Sequence, residues 1–133
     1  MTLVDDQQID CIVRIERRDK PVYLDIQIKA RSHSAKHAGL FAGLKIDKPR
    51  ENFIFVFFSE IANTYWIIPS KDLVGLASRN QKGLNQGKYS VTLASQRRNG
   101  EVVLNEKFNK WENDWSVLDV CASRILSRPS RNY

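Results

Sequence analysis

Ile9, Cys11, Val13 and Ile15 fall on one side of an extended segment at period two, with Asp10, Ile12 and Arg14 on the other. Residues 9–15 therefore read as a β-strand with Cys11 on the inward face, where a thiol packs as an inert small hydrophobe. The polar run Glu16-Arg17-Arg18-Asp19-Lys20-Pro21 turns the chain. Over 22–30, Leu24, Ile26 and Ile28 alternate with Asp25, Gln27 and Lys29, giving a second strand. Two short strands across a tight polar connection predict an antiparallel hairpin. From Ser32 to Leu44, Ala35, Ala38, Leu40, Phe41 and Leu44 make a poor helical stripe broken by Gly39 and Gly43, so a short helix and an ordered loop both fit. Phe53 to Phe58 is unbroken and apolar, the mark of a strand buried on both faces at a sheet centre. Thr64-Tyr65-Trp66-Ile67-Ile68 reads as its hairpin partner, stopped by Pro69. Ser70 as N-cap and Asp72 in the first turn predict a short helix through Leu73, Val74, Leu76 and Ala77. Residues 79–88 are polar and glycine-containing, hence loop. Strands follow at 89–93 and 102–104, and Phe108, Trp111, Trp115 and Leu118 recur at helical spacing, predicting a C-terminal helix over the sheet.

This order of elements predicts an α/β chain, with α+β as the alternative, folded as a single domain over 1–133 around one mixed sheet of strand hairpins flanked by helices. The segment from Ser127 to Tyr133 reads as a frayed tail. Composition agrees: 133 residues suit one ordinary domain, and 42% hydrophobic residues suffice for a core, which argues against disorder. The apolar run Phe53 to Phe58 is far shorter than the roughly 18 residues of a membrane-spanning helix, and no secretory leader pattern opens the chain. Lys and Arg total 21 against 15 Asp and Glu, a net charge of +6 that favours polyanion partners in a weak way. Cys11 and Cys121 sit at opposite ends of the chain, form no metal-type pair, and read as reduced thiols of a cytoplasmic protein.

One constellation could carry chemistry. Gln27 and Lys29 are two apart on a strand and share a face with Asp25, while the hairpin brings the strand of Asp10 alongside. A carboxylate, a second oxygen donor and a lysine converging there could bind a hard divalent cation, which would polarise a phosphate and acidify a water beside Lys29. The plainer alternative is a polar strand face that looks at solvent, since alternation alone produces such triplets.

The segment Gln8-Ile9-Asp10-Cys11-Ile12-Val13, the charged turn, and Leu24-Asp25-Ile26-Gln27-Ile28-Lys29-Ala30-Arg31 resemble the active-site hairpin of PD-(D/E)XK nuclease-like domains, which are restriction-endonuclease-like. The likeness is closest to members with glutamine in place of the second acid. Tyr65-Trp66-Ile67-Ile68-Pro69-Ser70-Lys71-Asp72-Leu73 is similar to the strand and turn that follow that core, and residues 107–115 to its aromatic ending. The resemblance spans roughly residues 8–118 and rests on a short motif. It implies a Mg²⁺-dependent (or Mn²⁺-dependent) phosphodiester hydrolase acting on DNA. Asp10, Gln27 and the backbone carbonyl of Ile28 would be metal ligands, and Lys29 would serve the attacking water. The family core usually opens with a helix and a strand before this aspartate, and nine residues precede Asp10 here. That departure implies a shortened relative, or one completed by a second subunit.

Arg31, His33, Lys36 and His37 follow Lys29 directly and could meet DNA phosphates beside such a site. His33 and His37 alone, without a third ligand, fit a surface role better than zinc. Trp66, Trp111 and Trp115 at strand and helix spacing read as core before base-stacking groups. No glycine-rich phosphate loop and no nucleophile elbow is present. The functional expectations are thus a DNA endonuclease-like hydrolase, a non-catalytic domain of the same fold binding nucleic acid or protein, or a purely structural domain. An unprotected strand edge near residues 5–15 further predicts a homodimer, the alternative being a monomer in which Met1 to Gln8 or the C-terminal tail folds back over that edge.

Overall fold

The computed structural model describes residues 9–17, 20–32 and 39–127, and within them the first hairpin forms as the alternation predicts. β1 (Cys11–Arg17) pairs antiparallel with β2 (Lys20–Arg31), with Cys11 opposite Ile26 and Val13 opposite Leu24. β2 then lies parallel to β4 (Phe53–Ser59), which pairs antiparallel with β5 (Thr64–Pro69), giving the order β1-β2-β4-β5. The apolar run takes the interior position because Phe53 to Phe57 are all buried and only an inner strand covers both of its faces. A parallel neighbour demands a long crossover. Here it is residues 32–52, and it contains β3 (Leu40–Leu44).

β3 departs from expectation. It is neither helix nor loop but a strand, with a register shift between Phe41 and Leu44 where Gly43 takes a φ of 70°. It pairs with β7 (Tyr89–Thr92), which pairs with the two-residue β6 (Ser78–Arg79), forming a second small sheet. The Phe41 and Phe57 rings approach to 4.8 Å, so this second sheet covers the face of the main sheet that carries Gln27 and Lys29. A third ladder joins β8 (Ala94–Gln96) to β9 (Val102–Leu104). The architecture is mixed α/β: a four-stranded mixed sheet, two smaller sheets and a few helices.

The helices differ from the sequence reading in their capping. α1 (Ser70–Leu76) starts directly after Pro69, and Ser70 is its first helical residue instead of its cap. The Ser70 hydroxyl donates to the Arg50 carbonyl and accepts from the Arg50 N–H, both at 3.1 Å, so a tertiary contact has claimed the group that would otherwise cap. The aromatic stripe at 108–118 is split into a 3-10 turn, Glu106–Trp111, and a helix α2, Ser116–Ser127. Asn113 separates them with a φ of 51°, a left-handed conformation that asparagine tolerates, and the Asp114 carboxylate then accepts the Ser116 N–H at 3.0 Å. Phe108 and Trp111 are core, whereas Trp115 lies outside both elements and is exposed. α2 packs on β2 and β5 through Val117, Cys121 and Ala122, and continues through Ser127, the first residue of the expected tail. Among the described residues no helix is long and apolar enough to cross a membrane.

Of the two thiols, Cys11 departs from its expected buried position. Cys11 is exposed at the start of the edge strand, because the helical layer does not extend over it, while Cys121 is fully buried on the face of α2 that packs on the main sheet. Burial pushes the Cys121 thiol up to about 11, with Arg124 pulling slightly the other way. In the unfolded chain the same thiol ionises near 9.0. Folding stability therefore carries its full Cys121 contribution below about pH 9 and loses it as pH rises through about 11. A thiol-disulfide reagent at pH 8 should modify one cysteine quickly in the native protein and the second only after denaturant is added. Removing Cys11 by Cys11→Ser should abolish the fast phase alone.

Candidate active site

The site is assembled where β1 begins and β2 approaches its end. Asp10 immediately precedes β1. Its N–H donates to the Ile26 carbonyl at 2.8 Å, although Ile26 already faces Cys11 in the ladder, so two consecutive residues meet one at this point. The Asp10 carboxylate turns onto β2 and accepts the Ile28 N–H at 2.6 Å. In a strand the N–H and C=O of one residue point to the same side, so the Ile28 carbonyl also faces the Asp10 side. Asp10 is thereby held against the backbone of the Gln27-Ile28-Lys29 tripeptide, as the hairpin reading requires.

Gln27 does not face solvent. It stands opposite Phe55 on β4 and is 9% exposed. Its Oε1 atom is buried with no hydrogen-bond partner among the described residues. Lys29 occupies the next position on the same face, opposite Phe57, which in turn faces Trp66 on β5. The indole N–H of Trp66 is likewise buried without a partner. A buried amide oxygen left unpaired costs about 1–3 kcal/mol, which makes this face unusual for a core. The plainer alternative of a solvated polar face therefore fails for Gln27, because that side chain is buried.

Asp25 shares that face but is committed elsewhere. Its carboxylate pairs with the Arg50 guanidinium at 2.6 Å, and Arg50 also lies over the Phe53 ring at 5.0 Å. Among the described residues one carboxylate, Asp10, is thus left beside the tripeptide. Arg31 is half-buried and holds β3, its Nε donating to the Leu40 carbonyl at 2.9 Å and its guanidinium lying 5.8 Å from the Phe41 ring centre. Its first role is therefore structural. His33, Lys36 and His37 lie outside the described residues.

The donors available to a cation are the Asp10 carboxylate, the Gln27 amide oxygen and the Ile28 carbonyl. Among the described residues no group of three or more His, Cys, Asp or Glu side chains could hold a metal ion. A Mg²⁺ ion needs only one or two carboxylates and completes its shell with water, and carboxylate and carbonyl oxygens also suit Mn²⁺. The orphaned Gln27 Oε1 is an acceptor of the right kind, so the oxygen set fits such an ion. A separate cleft of about 670 Å³ lies at the other end of β2, between Lys20, Tyr23, Arg50 and Ile125, and contains none of these residues. Sequence reading missed Arg50 because nothing local links it to Asp25, 25 residues earlier.

Compared with known proteins, the chain matches no family model, no curated protein and no solved structure.

Proposed function

We propose that this chain is a restriction-endonuclease-like domain that hydrolyses phosphodiester bonds in DNA with the help of Mg²⁺ or Mn²⁺. The observation that carries the reading is the Asp10 carboxylate bonded to the Ile28 N–H, next in sequence to Gln27, whose buried amide oxygen has no partner among the described residues. Asp10, Gln27 Oε1 and the Ile28 carbonyl would hold the ion, which when bound supplies Lewis acidity to the phosphate and a more acidic water. Asp10 keeps its carboxylate aimed through the backbone bond, so its position does not depend on a flexible side chain. Lys29 holds positive charge next to the attacked phosphate and orients the entering water. The excess of basic residues draws the polyanion to the domain.

Cleavage of plasmid and branched DNA in Mg²⁺ or Mn²⁺ tests this directly. Wild type should cut and Asp10→Ala should not. Equal cutting by both proteins would signify a contaminant and remove the proposal. A second reading, binding without cleavage, is favoured by one observation: the Asp25–Arg50 pair leaves Asp10 as the one carboxylate at the site among the described residues that is not held in an ion pair. Retained DNA binding with no cutting in either metal would select it.

A further inference from the structure

The two edges of the main sheet are treated differently. Along β5, the chain covers its own edge: Tyr65 donates its N–H to the Asn113 side chain at 2.9 Å, accepts the Asn113 N–H at 2.8 Å, and Trp66 bridges to Glu112. Along β1, no segment among the described residues pairs with the outer side. Which backbone groups face outward follows from β2. The Ile26 carbonyl and the Ile28 N–H both point towards β1, so the even-numbered residues of β2 serve that ladder. Their partners Cys11, Val13 and Ile15 point inward. Ile12, Arg14 and Glu16 therefore present their N–H and C=O groups to whatever lies beyond.

We infer that this edge binds a second copy of the chain, β1 against β1, antiparallel about a two-fold axis. Three features of the strand select that occupant. First, the outward groups all belong to even-numbered residues, so a symmetric antiparallel pairing can bond them only even to even. Centred on Arg14, such a pairing joins Arg14 to Arg14 and Ile12 to Glu16 in both directions, engaging every outward group of the strand. Second, the same register sets Val13 beside Ile15 of the other copy. Both are half-buried members of the core margin, and pairing extends the apolar face across the junction. Third, the central Arg14–Arg14 pair, unfavourable in itself as like charges directly opposite, is flanked by compensating carboxylates. Arg14 already pairs with Glu16 of its own strand at 3.0 Å, and strand reversal places each Arg14 diagonal to Glu16 of the other copy, within reach of long side chains. Even pairing also keeps matching faces together, so two four-stranded sheets become one continuous sheet with the α2 helices on one side.

This geometry revises the idea of a site completed by a second subunit. Each Asp10 lies four residues from the centre, so the two sites stand about 27 Å apart at about 3.4 Å per residue. Each is built by its own chain, and the inference does not depend on the nuclease reading.

Light scattering coupled to gel filtration at tens of micromolar is the test. Wild type should give about twice 15.4 kDa. Arg14→Pro removes the central outward N–H, a position where an edge strand accepts proline, and should give the single-chain mass. Arg14→Glu, at an exposed site whose substitution leaves the core untouched, should weaken the dimer at least tenfold, and added salt should partly restore it. A wild-type mass of 15.4 kDa overturns the inference. If such a monomer dimerises once residues 1–8 are deleted, that segment is what covers the edge. Dimers that persist in both variants overturn it too, because the interface is then elsewhere. Asp10→Ala should leave the mass unchanged, which keeps this result apart from the cleavage assay.

Discussion

Lys29→Ala should lower Mg²⁺-dependent DNA cleavage by about 10²–10⁴-fold, the range in which a positioned proton-handling or charge-stabilising group ordinarily contributes. Lys29 stands opposite Phe57 on the covered face of the main sheet, one position beyond Gln27 on that face. Its side chain makes no hydrogen bond or ion pair with the described residues, so truncation removes a charge without orphaning a partner among them. Stability should therefore stay close to wild type, and thermal melting separates loss of chemistry from loss of fold. Lys29→Arg keeps the charge but spreads it over a planar fork, so it should restore DNA binding while recovering cleavage only in part. Wild-type cleavage by the alanine variant would remove Lys29 from the site. A melting point lowered by many degrees would give the residue a structural role in place of the proposed one.

Gly39→Ala should destabilise the domain by about 3 kcal/mol, at the upper end for an overpacked site. A Cβ at Gly39 would stand 2.4 Å from the Ala94 nitrogen, 2.7 Å from its Cβ and 2.8 Å from its Cα. Two of these atoms are backbone, so no rotamer change relieves the contact. The approach is also fixed from the other side, since the Gly39 carbonyl accepts the Leu93 N–H at 2.8 Å and Leu93 is fully buried. Either β3 or the β7–β8 junction must move, and β3 is the strand that packs Phe41 against Phe57. For a chain of 133 residues this corresponds to a melting point lower by about 10 °C. Chemical denaturation should show the same change in midpoint with an unchanged slope. A variant within a degree of wild type would mean that the junction yields at little cost.

Much of the main sheet was legible in the sequence, because the relevant information is local. Period-two alternation fixed the β1–β2 hairpin and put Asp25, Gln27 and Lys29 on one face, and the aromatic run identified β4 as a buried inner strand with β5 as its partner. The juxtaposition of Asp10 with the tripeptide around Ile28 also followed, since a tight hairpin leaves few registers. Where tertiary contacts compete with local preference, the sequence was silent. Residues 40–44 have no strand periodicity of their own, and they extend because Thr92 and Val91 offer backbone partners about 50 positions away. Ser70 carries the composition of a cap but bonds Arg50, and a helical aromatic stripe is cut at Asn113 because that residue is drawn to the edge of β5. Cys11 has an inward pattern but no layer above it. The chemical consequences were settled in the same way: whether Gln27 met water or was buried, and whether Asp25 was free or held by Arg50, depended on segments distant in sequence. Periodicity says which residues share a face, but only the folded chain decides what covers that face.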